Sequence, residues 1–492
     1  MGNATSLLTE ADARQLMRRA GFGGTPKDTT KIAKRKLTRA KVVDGLLSYK
    51  PKPLKLKKDD GMDQFYDTWL QTMLKTKKPL LEKLVLFWHD HFATNNTTVQ
   101  NSDWMVRQNG LLRMMAKGNF RSFLKAINKD PAMMDFLDTL RNRRREPNEN
   151  YARELMELFS LGVLDEAGMP NYAQEDIVQI ARSFTGWRLD DDDNPVFRED
   201  AHDFNEDFPE RGPKVIFKDR APFGASGADL TSRGEGAVEI DVVIDTLLMH
   251  QDSEGKSTVG RRMTRRLFEF FASASPPTAV VDEILMQSGF ATTWDITALV
   301  KAILVHDAFY ANPATPPFDV NTKKSVKGPI DYVVSSLRLL KVVPKRDKDR
   351  GLVLANSDTL RSHLEDMGQR LFEPPSVFGW DWEAGWISSA TLLSRFRFAR
   401  DLARNRDKGK ENFHPEKLVS LALTAPGDIL SAAAGVLGIG DQLSDDDRTF
   451  LIAYLTDDGA QPALNLNDPD LRARKLHGLF ALLLECPAYQ LH

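Results

Sequence analysis

Apolar residues recur three and four positions apart along most of this chain, the spacing that lines one face of an α-helix. In "TEADARQLMRRAGF" the repeat starts behind a Thr cap with carboxylates in its first turn, and in "PLLEKLVLFWHDHF" it starts at Pro79. "DWMVRQNGLLRMMAKG", "FRSFLKAINKDPAMMDFLD" and "NENYARELMELFSLG" continue it, with Gly162 placed to cap the last. The pattern resumes in "AQEDIVQIARSFTGW", "EIDVVIDTLLMHQ", "GRRMTRRLFEFFA" and "WDITALVKAILVHDAFY". Residues 188–236 interrupt it. Pro, Gly and Asp are frequent there, and "PVFRE" and "KVIFKD" have the length of hairpin strands or of a lid.

These periods predict an all-α protein, a large multi-helix bundle-like body with a small loop or β-hairpin insertion near 188–236. Four parts follow. Residues 1–187 form an N-terminal helical part, 188–236 the insertion, 237–406 a helical part with the Trp-rich loop "FEPPSVFGWDWEAGW" (372–386), and 407–492 a C-terminal helical appendage.

Composition narrows the partners. Basic and acidic residues number 67 and 69, so no overall field points to nucleic acid or an anionic membrane. The lysine-rich start, Lys31 to Lys58, reads as a solvated helical surface. One cysteine, Cys486, leaves no disulfide framework and no cysteine-built metal cluster. No run approaches the roughly 18 apolar residues of a membrane span. The first residues lack a signal-type apolar core, so the chain as written reads as cytoplasmic, the alternative being export with a signal removed. "MGNATS" fits the loose myristoylation pattern with Gly2 and Ser6.

Three groups of residues could carry chemistry. In "LVLFWHDHFATNN" two imidazoles lie two positions apart, about 200° around a helix. His91 shares the apolar stripe of Leu80, Leu84, Phe87 and Trp88 and is expected inside; His89 is expected to point away, beside Glu82 and Val85. Both reach one metal only if the helix unwinds at Trp88. In "NENYARELMELFSLG", Glu154 sits between Leu158 and Leu161 and is expected where water is scarce, so it needs a cation, a donor or a proton. Arg153 points about 100° away, toward another helix. Glu157 shares the stripe of Glu154. The reading of these groups as metal ligands stands against a buried Glu–Arg network that holds helices in register. The third group, "DDDDNPVFREDAHDFNED", offers hard oxygens beside His202 and Asp203, although Asp190 to Asp193 read as a solvated loop and the calcium-loop pattern is absent. Phosphate-cradling, dinucleotide-binding, nucleophile-elbow and HExxH patterns are also absent.

"RRAGFGGTP", "LVLFWHDHFATNN", "DPAMMDFLD", "PNENYARELMELFSLG", "ARSFTGW", His202–Asp203 followed by Lys214, and "MGQRLFEPPSVFGWDWEAGWISSATLLSRFRFA" follow one another here. In this order they resemble the bacterial family catalogued as domain of unknown function 1800, over about residues 8–490. The resemblance implies a mostly helical protein, often exported and often encoded beside an alkaline-phosphatase-like protein. The matched polar positions are His89, His91, Asn148, Asn150, Arg153, Glu154, Glu157, Asp176, His202, Asp203 and Lys214. The chain departs from the pattern in lacking an export signal and in the long acidic segment before Lys214.

The expected function is that of a metal-dependent enzyme, hydrolytic or oxidative, with its site in a helical bundle. His91, Glu154, His202 and Asp203 are the expected ligands of a divalent metal (Mn, Fe, Zn, Mg or Ca), with Glu157 and then His89 behind them. Glu154 doubles as a catalytic group, and Arg153 and Lys214 would orient an anionic substrate or stabilise developing charge. The alternative is a non-catalytic assembly or export partner of a phosphatase-like protein, in which the Trp380, Trp382 and Trp386 loop docks. That loop otherwise reads as a packed turn whose indoles cover the core.

Overall fold

The computed structural model describes residues 5–492 except 57–60, 231–235, 311–324, 355–357, 405 and 408–409. Gly2, the last lysines of the lysine-rich start and part of the insertion therefore lie outside the described residues. The described chain is 57% helical, with 24 helices and only two-stranded sheets. The hairpins 187–197 and 215–229 fall in the expected insertion. Two more, at 345–353 and 406–411, interrupt helical regions that periodicity left unbroken. No described helix is long and apolar enough to cross a membrane.

Local chemistry sets the helix ends. Thr9 and Thr25 each bond the backbone three residues on, and Asp12 and Asp28 return the bond. Proline opens the helices Pro79–His91, Pro131–Phe136, Pro329–Leu339 and Pro469–Glu485. Gly162 closes "NENYARELMELFSLG" at φ 83°, with the Arg262 side chain packed where a Cβ would stand. One hydrophobic cluster runs from Leu8 to Tyr489 and takes residues from all four sequence parts.

The helix Pro79–His91 lies at the centre, and all 13 of its residues are buried. A helix enclosed on every side must partner each polar group it carries. Glu82 receives both Arg113 terminal nitrogens, at 3.0 and 2.6 Å, and the Trp69 indole at 2.9 Å. Lys83 reaches Asp331 at 2.5 Å. Full enclosure also overturns one expectation. His89 is 1% exposed, no more open than His91 at 3%, because angular position predicts exposure only for a helix with a wet side.

A second departure from regular helix falls in the most specific sequence block. Asn150–Glu154 is α-helical, but Leu155–Ser160 is π-helical, with Leu161 N bonded to Met156 O at 3.0 Å. The Ser160 hydroxyl also bonds Leu155 O, at 2.6 Å. The wider turn shifts every later side chain by about one position relative to an α-helix, which an apolar period of 3.6 does not register.

Candidate active site

The three polar side chains ending the central helix each hold a different segment. His89 Nε2 accepts the Phe372 amide at 3.0 Å. Asp90 accepts the Trp380 amide and the Trp382 indole, both at 2.8 Å. His91 Nε2 donates to Phe159 O at 3.3 Å, at the end of the π-turn. Burial drives both imidazoles toward the neutral form, His89 to about 3, and Arg266 and Arg262 add to the effect at His91. These histidines are fasteners, and each takes a separate partner.

The other expected ligands do not join them. Among the described residues, no three His, Cys, Asp or Glu come together so as to hold a metal ion. Glu154 is half-buried with one oxygen unpartnered, and burial, then the charge of Glu157, raise its pKa. Arg153 binds Glu149 at 2.9 Å and approaches Glu157 at 3.7 Å on its own helix, and reaches beyond it to Gln174. Glu157 also bonds the Tyr172 hydroxyl, whose pKa burial raises.

His202, Asp203 and Lys214 form a separate, fully buried cluster. His202 Nδ1 lies 2.8 Å from Thr185 O; a carbonyl only accepts, so Nδ1 carries the proton and Nε2 faces Lys214 Nζ at 3.1 Å. Lys214 in turn holds Glu239 at 2.6 Å, and burial lowers its pKa against the pull of that carboxylate. Asp203 is clamped by Arg182 at 3.1 Å and Arg211 at 2.7 Å. Every charge in this cluster has an opposite neighbour, the arrangement of a structural lock.

Chemistry is freer in a crevice that the sequence reading did not single out. Leu86 and Asp90 of the central helix, Glu269 and Phe270 of the helix Thr258–Phe271, and Trp380, Trp382, Glu383 and Trp386 of the aromatic loop line it, together with Asp331 and His492. The cavity holds about 60 Å³ and opens to solvent. That depth suits about two waters. Trp380 Nε1, Asp331 Oδ1 and His492 Nδ1, on residues that line it, are buried without hydrogen-bond partners among the described residues.

Three carboxyl groups of the crevice are pushed up. Burial moves Asp90 to about 6, against Arg266 and its two donors. Burial raises Glu269 despite Arg266, Arg265 and Arg262, and it raises Glu383 despite Arg19, with Glu269 repelling. Asp331 goes the other way: its bond to Lys83 and its proximity to His492 hold it well below the carboxylate range. Glu383 adopts φ 54°, a conformation that costs a side-chain-bearing residue roughly 1–3 kcal/mol and gathers at functional sites. Arg266 stacks on Trp382 at 4.6 Å and stands 3.7 Å from Asp90, its Nε unpartnered. The crevice thus joins Asp90 from "FWHDHF" to the aromatic loop, and the charge of Arg19 from "RRAGFGGTP" acts on Glu383 from behind it. Asp90 lay in plain view between the histidines and Glu383 among the tryptophans, whereas no sequence pattern marked Glu269 or Asp331.

A model of the family described as "Protein of unknown function (DUF1800)" matches residues 15–491, and the chain belongs to that family. No curated protein and no solved structure matches it.

Proposed function

We propose that this family member is a hydrolase that works through carboxyl groups in the aromatic crevice. The observation carrying the proposal is the pairing of Glu269 and Glu383, both raised by burial, beside a water-sized depth under an indole-lined mouth. Two carboxyl groups in mutual repulsion divide the labour of acid and base when their surroundings differ. Three arginines favour the ionised form of Glu269, which suits it to take a proton from water. Glu383 feels the charge of Glu269 and is the proton holder, the donor to a leaving group. Arg266, stacked on Trp382 and 3.7 Å from Asp90, sets a positive charge beside the aromatic wall, which favours an anionic or oxyanionic substrate. Asp90 positions the loop, since Trp380 and Trp382 already occupy both its oxygens.

The test is a screen of chromogenic esters, glycosides and phosphate esters with the wild type, Glu269→Gln and Glu383→Gln, with and without chelator. Each variant is expected to lose about 100- to 10,000-fold in rate, the usual worth of a general acid or base. Chelator is expected to leave the wild type unchanged. Full activity in both variants, or activity abolished by chelator, overturns the proposal.

A further inference from the structure

A larger cavity, of about 400 Å³, lies apart from all the motif blocks, between the last turn of the helix Met62–Lys75 and the end of the helix Pro329–Leu339. This falls within the range of small-molecule sites, about 300–1,000 Å³, which the crevice depth does not reach. Its floor is apolar: Leu74, Leu337, Val342 and Pro344, with Val343 67% exposed at the edge. Its rim is cationic. Lys75, Lys77 and Lys341 are exposed around it, and no carboxylate is among the described residues that line it.

The walls are preformed. Arg338 donates one terminal nitrogen to Met73 O, Leu74 O and Thr76 O at 2.9 to 3.1 Å, fastening one helix end to the other. Those bonds also neutralise carbonyls that would otherwise repel an anion at a helix C-terminus. The carboxylate of Asp28, which acts on Arg338, is engaged by the Thr25 hydroxyl at 2.6 Å. Lys341 provides a second, independent observation. It sits at φ 56° in the position that closes a helix and usually takes glycine, with Lys341 N bonded to Arg338 O and Val342 N to Leu337 O. A lysine there holds its backbone in a disfavoured conformation and sets a cation on the rim.

We infer that this cavity binds a small, free amphipathic anion, an apolar chain or ring headed by a carboxylate. Apolar atoms would leave water on Leu337 and Val342 while the head group meets the lysines. The full chain titrated calorimetrically with decanoate at low salt is expected to show one saturable site, weakened by added salt. Decyltrimethylammonium, with the same tail and the opposite charge, is expected not to bind. Lys341→Glu should weaken decanoate by about five- to tenfold, the scale of an exposed ion pair turned into a repulsion. Val343→Asp, at an exposed position, should weaken it too without changing the melting temperature of the free protein. Equal binding of both amphiphiles, decanoate binding untouched by either variant, or binding to anionic vesicles alone overturns the inference.

Discussion

The carboxylate of Asp90 accepts the indole Nε1–H of Trp382 at 2.8 Å across 292 residues of sequence. With the Trp380 amide on its other oxygen, this bond hangs the aromatic loop from the central helix. Asp90→Ala is therefore expected to leave two donors unpaired, one of them buried, at about 1–3 kcal/mol for each buried group. The loop should loosen, and the readout is a red shift in tryptophan fluorescence with a lower denaturation midpoint. Gly379→Ala tests the same contact from the other side. Gly379 has φ 85°, and a Cβ there would collide with the Asp90 carboxylate. An unshifted spectrum in both variants contradicts the anchoring role.

Asp90 also makes a pH prediction. Its pKa is about 6 in the fold, against 3.8 ordinarily. The folded state keeps the proton longer than the unfolded state, so this group's contribution falls as pH rises from about 4 to about 6 and is flat above. At about 1.4 kcal/mol per pKa unit the effect is a few kcal/mol at most. Asp90→Asn removes the titration. The wild-type stability minus that of Asp90→Asn, measured by urea unfolding from pH 4 to 7, should decline across that window and then level. A difference that rises with pH reverses the sign and refutes the assignment.

The Lys214–Glu239 pair is expected to behave as a lock. Lys214→Met leaves the buried Glu239 carboxylate without its cation, 3.4 Å from His202, and should cost about 3–5 kcal/mol. The double variant Lys214→Met/Glu239→Gln should recover most of that loss, because the uncompensated charge is gone. Denaturant midpoints of the two singles and the double complete the cycle. Additive losses would mean that the groups do not share their charge balance.

Glu154→Gln separates a metal ligand from a strained carboxylate. Burial and the Glu157 charge raise the pKa of Glu154, so its ionised form is a cost near neutral pH. For a half-solvated group the exchange should add no more than about 1 kcal/mol at pH 7. The gain should vanish by pH 4, where the acid is protonated in both states. Thermal melts with and without chelator should coincide. Destabilisation that appears only without chelator would restore Glu154 as a ligand.

The helices were legible because an apolar repeat of 3.6 and a Thr, Pro or Gly at the right end are local facts. Thr9, Pro79 and Gly162 announce their roles within a turn of where they act. The insertion hairpins were legible for the same reason. What periodicity does not record is how many neighbours a helix has, and this is why His89 was expected outside. The π-turn escaped because Ser160, whose hydroxyl supports it, is an ordinary residue until the chain bends around it. Asp331 and Glu383 acquire their character from Lys83, His492, Arg19 and Glu269, all distant in sequence, whereas the arginines that oppose the burial of Glu269 stand on its own helix. How deeply Glu269 and Glu383 are buried is not written in the residues beside them, although the arginines before Glu269 are.

The three fasteners at the end of the central helix also constrain how the molecule is made. His91 closes on a carbonyl 68 residues away, but His89 and Asp90 close on amides 283 and 290 residues away. During synthesis the first clasp can shut early, while the other two wait for more than half the chain to follow. Until then His89 and Asp90 lack the partners that justify their burial, and a helix enclosed on every side in the finished fold has one open side. Contacts of such long sequence separation raise the entropic barrier to folding and extend the life of partly closed states. The nascent chain should therefore be most vulnerable to aggregation and proteolysis before residue 372 emerges, and abruptly less so once the aromatic loop swings onto Asp90.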